Sequence, residues 1–490
     1  MKKILVVILA FLALNLQAQQ KNIFLDQAFW KTGPDVATIQ AEIAKGNDPS
    51  ELTNSAFDPV VYAINAKAPS ESVKFLLAQK GNTVSKLTHD GRTYLFWAAL
   101  RGDIPVVEYL LSKGASTTVE DTHGTTPITF AASGGQADTK VYDAFIKSGA
   151  DIKAVNHDGA NVLLLAIAND KDLVLTDYFI SKGLSLQSTD AAGNTAFNYV
   201  ARTGNVALLN KLIEKGVKYT DNAMIMAAQG GRGGSNPLAF YQYLEGLAIK
   251  PTVRNSNGEN VLHLIARRPN QKDVISYFIA KGVDVNQPDN DGNTPFMNAA
   301  ASNRDTATIT LLLESLKNIN QVNKKGVSAL AMSVRGNSPA IIQLLITKGA
   351  DKNITDAEGN NLGYYVLQSY NQRTAEEFDP KIKVLQDNGF ALNTPQKNGN
   401  TLYHLAIIKN DLSLLKRLEP LHIDVNGKNK EGLTALHRAA MVSRDDVIMK
   451  YLLSIGAKKE VTTDFKETAF DLAKENEFLT KNNVRTDFLK

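Results

Sequence analysis

The chain has 490 residues, with 54 Lys and Arg against 50 Asp and Glu, and contains no cysteine. A formal net charge of +4 argues against a strongly basic nucleic-acid-binding protein, and the lack of cysteine excludes disulfides and thiol-linked lipid anchors in this sequence. The length would suit about three ordinary globular domains, unless a repeat replaces separate cores.

Residues 1–18 have the parts of a secretory signal peptide. Lys2 and Lys3 precede the apolar run ILVVILAFLAL, and Gln17-Ala18 supplies a small residue at the expected cleavage site. The run is too short to span a membrane comfortably, so we expect cleavage after Ala18 and no membrane anchor in the mature form. The short pattern is typical of bacteria and predicts a periplasmic protein, with full secretion as the alternative.

Residues 19–56 are predicted to form an N-terminal capping repeat. Residues 24–49 suit two short helices that are separated at Gly33-Pro34, and they lack the glycine turn that recurs later in the chain. We expect Phe29 and Trp30 to cover the core of the repeat that follows.

From residue 57 to residue 463 one short phrase recurs with a period of about 33 residues. It reads GTTPITFAA at 124, GNTPFMNAA at 292 and GLTALHRAA at 432. Two further phrases recur in register with it, an apolar segment such as VVEYLLSKGA at 106 and a closing segment such as GADIKAVN at 149. Repetition of this kind predicts one structural unit copied along the chain, each copy burying its apolar face against its neighbours.

The period, the T-P-L-H-x-A-like core and the two apolar segments resemble the ankyrin repeat. The resemblance runs from about residue 25 to residue 478 and implies an all-α solenoid of about 12–13 helix-turn-helix units with short hairpin tips. It also implies that a protein partner binds the concave surface, which the hairpin tips and the ends of the first helices form.

Side-chain chemistry explains the recurring positions. In Thr126-Pro127 and Thr294-Pro295, Thr is the expected N-cap and Pro takes the first helical position, where no N–H is needed. Small residues in the first helix should let the first helices of adjacent repeats approach closely; they are Ala98-Ala99, Ala131-Ala132, Ala299-Ala300 and Ala439-Ala440. Glycines after the second helices should be left-handed C-caps; they are Gly114, Gly149, Gly282, Gly349 and Gly456.

Two units depart from the pattern. The degenerate unit at 220–255 carries GGRGGSNP at 230–237 between its helices. A phosphate-binding loop would need a preceding strand and a following G-K-[ST], so we interpret the segment as a lengthened turn. The unit after Gly359 has an insertion at 368–380, which we expect to be a loop that widens the binding surface, with Tyr370 as an aromatic anchor. Tyr364 and Tyr365 are alternatives, although at least one of the three suits the core.

Residues 464–490 are predicted to be a C-terminal capping repeat and tail. The segment ETAFDLAKENEF keeps the first-helix pattern and then becomes polar, as a terminal repeat must where it faces solvent.

The ends of the predicted first helices are rich in basic residues. By the ankyrin resemblance, the two residues before each inter-helix turn should face a partner, and of twenty such positions in ten repeats six are basic and none is acidic. The basic residues are Arg101, Arg202, Arg267, Arg268, Arg335 and Lys409. We expect them to form a basic stripe for an acidic protein partner; a solvated surface with chance enrichment is the alternative.

The histidines suit structural roles. His263, His404 and His437 occupy the His place of the repeat motif, where the resemblance implies a hydrogen bond from the ring to a neighbouring backbone. His89, His123 and His157 precede turn glycines on successive hairpin tips. Tips of adjacent repeats should lie about 10 Å apart, too far for shared metal ligation at about 2 Å, so no metal site and no cofactor are predicted.

Catalytic motifs occur only out of context. S-L-L-K at 413–416 and K-T-G at 31–33 stand in the wrong order for a penicillin-interacting enzyme, and H-E-x-x-H and a dinucleotide fingerprint are absent. We therefore expect a non-enzymatic protein-binding scaffold exported from a bacterial cytoplasm. The alternative is an envelope protein that binds a glycan or another small ligand, or has a structural role. The sequence specifies neither the partner nor the oligomeric state.

Overall fold

A computed structural model describes residues 22–231 and 234–490 of the chain. The predicted signal peptide, residues 1–18, lies outside the described residues, as do Arg232 and Gly233 in the glycine-rich turn. Within the described ranges the fold is an all-α repeat solenoid with isolated β-bridges but no strand. Among the helices of these two ranges there is no candidate for a membrane span. The prediction of the fold class is confirmed.

The chain divides into two compact units, residues 1–230 and 231–490. The described part of the first unit contains six helix pairs followed by a single helix. In chain order they are Gln27–Lys31 with Val36–Ala44, Pro59–Asn65 with Ser70–Leu77, Tyr94–Arg101 with Ile104–Ser112, Pro127–Ser133 with Thr139–Lys147, Val162–Ala166 with Val174–Ser181, Ala196–Ala201 with Val206–Glu214, and then Asn222–Gln229.

The described part of the second unit begins with one helix, and seven pairs follow it. They are Leu238–Gly246, then Val261–Ile265 with Lys272–Ala280, Pro295–Ser302 with Thr306–Glu314, Ala329–Gly336 with Pro339–Thr347, Leu362–Gln368 with Phe378–Asp387, Leu402–Ala406 with Leu412–Leu418, Ala435–Val442 with Val447–Ser454, and Ala469–Glu475 with Glu477–Lys481. In each pair we refer to the earlier helix as the first helix and to the later one as the second.

Short 3₁₀ turns extend or connect several of these helices. They are Ile23–Leu25, His89–Gly91, Ile167–Asn169, Gln372–Glu377, Ile407–Lys409, Glu419–Leu421 and Asp487–Leu489. The N-terminal turn helps to form the first cap, because the indole Nε1–H of the fully buried Trp30 donates to the carbonyl oxygen of Phe24 at 2.7 Å.

The capping chemistry confirms the predicted helix starts and ends. Thr126 and Thr294 are N-caps whose hydroxyl oxygens accept from Thr129 N–H and Met297 N–H, and a proline begins each helix. The eight paired alanines of the first helices are all 0% exposed. The five glycines predicted after second helices all have positive φ, from 81° to 98°.

Backbone hydrogen bonds connect several of the hairpin tips, the glycine turns before the first helices, to the next tip along the stack. In the second unit the N–H of Lys324 donates to the carbonyl of Asp291, and the N–H of Ala357 donates to the carbonyl of Lys325, both at 2.9 Å. The tip glycine lies directly under this contact: a Cβ on Gly326, whose φ is +74°, would be 2.6 Å from the nitrogen of Ala357. The glycine is therefore required both for its conformation and for the space it leaves.

Three buried histidines join their first helices to the hairpin of the following repeat. The Nδ1 atoms of His404 and His437 accept from the backbone N–H of Thr401 and Thr434, at 3.2 and 3.0 Å. Since Nδ1 accepts, Nε2 carries the proton, and in both rings it donates to a carbonyl oxygen of the next repeat at 2.9 Å. His263 makes the corresponding bond to Asn293 at 3.1 Å. The predicted structural role of these three rings is confirmed.

A pair of glycine substitutions separates the effect of the backbone conformation from the effect of the close approach. Gly326 and Gly349 both have positive φ, but no heavy atom lies within 4 Å of a Cβ on Gly349. Gly349→Ala should lower the free energy of unfolding by about 1–2 kcal/mol through backbone strain alone. Gly326→Ala should lower it by roughly twice that or more, because the next tip must also move. Urea unfolding followed by circular dichroism measures both, and equal losses would contradict the close-approach argument.

Because three histidines are buried in the second unit, we expect acid to lower its free energy of unfolding. Burial lowers the pKa of His263, His404 and His437 below the ordinary value of 6.5, so the unfolded chain binds more protons than the folded chain once the pH falls below about 6.5. Stability should thus be complete above pH 6.5 and decline as the pH falls towards the folded pKa values, by about 1.4 kcal/mol for each unit of pKa depression.

Circular dichroism should follow this unfolding, because Trp30 and Trp97 both lie in the first unit and their fluorescence does not report on the second. The variant His404→Gln/His437→Gln should lose part of the decline between pH 7 and pH 5. A decline of the same size in the variant would show that other groups cause it.

Candidate functional site

The ends of the first helices are held by side-chain amides from the following repeat. The Nδ2 group of the fully buried Asn337 donates to the carbonyls of Ala300 and Asn303 at 2.9 Å each. Asn303 in turn donates to the carbonyls of Ala266 and Arg268 at 2.8 Å. Corresponding bonds come from Gln136, Asn169 and Asn476. The backbone that carries the candidate basic residues is therefore fixed at each repeat that has such an amide.

This arrangement was missed at the sequence level, although a signal exists. A small residue followed by Asn precedes several second helices, as in SNRD at 302–305 and GNSP at 336–339. In the repeat with the insertion, Lys381 takes the place of the amide. Its side chain is buried, and Nζ donates to the carbonyl of Val334 at 3.1 Å. Burial lowers the pKa of this ammonium, against the opposing effect of Glu377.

In the second unit the predicted basic residues differ in exposure. Arg267 and Arg335 are both exposed. Arg335 lies in the last turn of the helix Ala329–Gly336, and Arg267 directly follows Ala266, the C-cap of the helix Val261–Ile265. Arg268 is half-buried, and its Nη1 donates to the hydroxyl of Ser235 at 3.1 Å. Lys409 is exposed, and its Nζ donates to the carbonyl of Tyr370 at 3.3 Å. The side chains most available to a partner here are those of Arg267 and Arg335.

In the first unit the predicted residues are Arg101 and Arg202, and both are exposed. Arg101 ends its first helix, and its Nε–H donates to the side-chain oxygen of Asn65 at 2.9 Å. Arg202 directly follows the helix Ala196–Ala201 as its C-cap. Three repeats separate the two arginines along the stack, and the corresponding positions between them are not basic.

Within each unit, the predicted basic positions of different repeats lie two or three repeats apart. Arg267 and Arg335 lie two repeats apart, roughly 20 Å at one helix diameter per repeat, which exceeds the screening length of about 8 Å at physiological ionic strength. Arg304, in the repeat between them, forms a two-pronged ion pair with Glu377 at 2.7 and 2.9 Å. Its charge is therefore balanced within the protein.

The insertion at 368–380 is not a projecting loop. It forms the turn Gln372–Glu377 and the start of the helix Phe378–Asp387, and Phe378 is buried. Ion pairs connect Glu377 to Arg304 and Asp379 to Arg417. Removing residues 371–379 would therefore remove part of the core, so such a deletion cannot test partner binding alone.

The expectation that Tyr370 is an exposed aromatic anchor is wrong. The residue is only 7% exposed, its ring lies edge-on to Phe378 at 5.2 Å between centroids, and its hydroxyl contacts Asp411 at 3.1 Å and Ser413 at 2.6 Å. Burial would raise the pKa of Asp411, but hydrogen bonds from Ser413, Gln372, the backbone and Tyr370 lower it to about 2. Tyr370 belongs to a buried polar cluster that joins the insertion to the next repeat.

The hairpin-tip histidines approach one another more closely than the tip spacing suggested. The Nε2 atoms of His89 and His123 both lie 3.5 Å from the same carboxylate oxygen of Asp90. Side chains thus span the distance between adjacent tips, and the spacing argument fails for this pair. No group of three or more potential metal ligands occurs within residues 22–231 and 234–490.

Comparison with known proteins places this geometry in a family. A family model described as ankyrin repeats in three copies matches residues 60–153, 224–323, 262–356 and 373–463, which together make up more than half of the chain. The match covers most of both segments that depart from the pattern, namely residues 224–255 of the degenerate unit and residues 373–380 of the insertion.

Relatives match over parts of their length. A putative ankyrin repeat protein of Acanthamoeba polyphaga mimivirus is 26% identical over 314 residues, covering 59% of this chain and 36% of that protein. Human Rabankyrin-5 is 26% identical over 215 residues, covering 41% of this chain and 18% of its own length. The E3 ubiquitin-protein ligase KEG of Arabidopsis thaliana is 23% identical over 371 residues, covering 68% of this chain and 22% of that protein.

The chain thus spans little more than a third of the first of these relatives and less of the others. One of them is named as an enzyme, but the alignment covers only 22% of that protein. Ankyrin repeats are in general non-enzymatic modules for interaction between proteins. The periodic helix pairs, the capped hairpin tips and the family match lead to one conclusion: the chain belongs to the ankyrin repeat family.

Proposed function

We propose that the chain is a non-enzymatic scaffold that binds a partner protein on the surface formed by its hairpin tips and first-helix ends. The observation that carries the proposal is the exposure of Arg267 and Arg335 at, or just beyond, the ends of their first helices. Neither has an ion-pair partner among the residues that the structure describes. Family membership supports a protein as the ligand.

The charge of these positions favours an acidic partner. Arg304, between them, is already paired with Glu377, so the two unpaired guanidinium groups are the local sites for carboxylates. Guanidinium groups bind carboxylates in a two-pronged geometry, which fixes orientation as well as adding energy. Separated charges of this kind raise the rate of encounter more than the final affinity.

We also propose that the protein acts outside the bacterial cytoplasm, in the periplasm, with secretion as the alternative. The support is the pattern of residues 1–18 in the sequence. Intact-mass analysis of the protein recovered from the periplasm of an expressing bacterium should give a chain that begins at Gln19. A chain that retains Met1 and remains in the cytoplasm would overturn this part.

Crosslinking tests where the partner binds. A photoreactive residue at position 335, on a first-helix end, should crosslink a partner protein in a periplasmic extract. The same probe at Ser276, exposed on a second helix, should not, because the proposed surface excludes the second helices. Equal yields at both positions would contradict the proposal.

Charge reversal tests how the partner binds. With the crosslinked partner purified, Arg267→Glu/Arg335→Glu should slow association by about tenfold or more at low salt, and the difference should shrink as salt rises. The matched control is Lys272→Glu/Lys348→Glu, which makes the same change at exposed positions on, or directly after, the second helices of the same two repeats. Stopped-flow measurement of association rates compares them; similar rates in both variants would assign any effect to net charge alone.

A further inference from the structure

A cleft of about 390 Å³ lies in the first unit, between the N-terminal cap and the two repeats that follow it. Its apolar wall consists of Phe57, Tyr62 and Trp97. The ring centroid of Phe57 lies 6.1 Å from that of Tyr62 and 5.8 Å from that of Trp97. The indole Nε1–H of Trp97 donates to the hydroxyl oxygen of Thr88 at 2.9 Å, which fixes the ring in place. The cleft therefore presents a preformed aromatic surface.

The polar groups in this cleft are mainly donors. Arg101 uses Nε–H to bind the side-chain oxygen of Asn65, and its terminal nitrogens, like the ammonium of Lys31, have no partner among the described residues. The hydroxyl of Tyr62 and the side-chain nitrogen of Asn65 likewise have none there. No carboxylate of the described residues lines the cleft. The amide of Gln27 also lines the cleft, so two cations and three neutral groups that can donate lie beside the aromatic wall. This set suits a ligand that is both apolar and anionic.

We propose that this cleft binds a segment of a partner protein in which an aromatic side chain stands next to a carboxylate. The cleft has the volume of a small ligand site, so it admits one aromatic residue and the adjacent acidic groups rather than a folded surface. The aromatic side chain stacks on the wall, and the carboxylate binds Arg101 and Lys31. The inference rests on the proposed function in one respect only, namely that the ligand is part of a partner protein.

The charge of the cleft also argues against occupation by the beginning of the same chain. Residues 1–21 contain Lys2, Lys3 and Lys21 and no acidic residue, so they have the same sign of charge as Arg101 and Lys31. Like charges in a partly desolvated site repel.

Intrinsic fluorescence measures binding directly, because Trp97 lines the cleft whereas Trp30, the other tryptophan, is fully buried. The probe is the capped peptide acetyl-Gly-Asp-Phe-Glu-Gly-amide, titrated into the full chain. It should change the emission of Trp97 saturably. A peptide with Asn and Gln in place of its carboxylates, or with Ala in place of Phe, should bind at least about tenfold more weakly.

Three variants localise the site. Ala66→Phe fills the cleft without changing charge and should abolish binding, and Arg101→Gln should weaken it about tenfold or more. Lys80→Gln is the matched control, since Lys80 is exposed in the same unit but does not line the cleft; it should leave binding unchanged. Binding that survives Ala66→Phe would overturn the proposal.

The remaining outcomes separate the other sources of the ligand. Equal or tighter binding of N-acetylphenylalanine would assign the cleft to a small organic acid and overturn the protein source. Peptide binding that appears only after residues 1–21 are removed would show that this segment occupies the cleft, and it would overturn the proposal that a partner protein does so. Peptide that fails to bind while crosslinking at position 335 persists would overturn this inference alone; loss of crosslinking with peptide binding intact would overturn the proposed function alone.

Discussion

The close approach of successive hairpin tips is the constraint on which the rest of the fold depends. Backbone bonds of 2.9 Å run from one tip to the next, as from Ala357 to Lys325, and they bring the following chain against the tip glycine. Only a residue without Cβ leaves room there. In three repeats the spacing of the tips also positions the first helix, because buried histidines such as His404 join that helix to a carbonyl of the next hairpin.

The same principle operates at the opposite end of the first helices. Side-chain amides such as that of Asn337 donate hydrogen bonds to the last carbonyl oxygens of the preceding first helix. Where such an amide is present, this end of the first helix is also bonded to a neighbouring repeat. An unpaired carbonyl in this buried setting would cost about 1–3 kcal/mol, which makes the amide hard to replace. Lys381 shows the replacement that the lengthened repeat uses: a longer side chain reaches Val334 from a second helix that begins later.

Much of the fold could be predicted from sequence because the same types of residue recur at the helix starts and helix ends of successive repeats. Thr126-Pro127 and Gly114 determine a helix start and a helix end within a few residues. The site was less predictable, since exposure depends on contacts between repeats. Tyr370 and Tyr62 are both tyrosines near first-helix ends, yet Tyr370 is buried against Phe378 from the insertion and Tyr62 lines an open cleft. No local pattern distinguishes them.

Ion pairing within the protein determines which basic residues contribute to the charge of this surface. An arginine contributes to an external field only where the protein leaves its charge unbalanced, and the ion pair between Arg304 and Glu377 removes one such charge at a distance of 73 positions in sequence. The insertion that supplies Glu377 therefore shapes the charge of the surface without projecting into it. For the proposed function, this leaves a few isolated groups to bind a partner, and specificity would then depend on the spacing of those groups together with apolar contacts beside them.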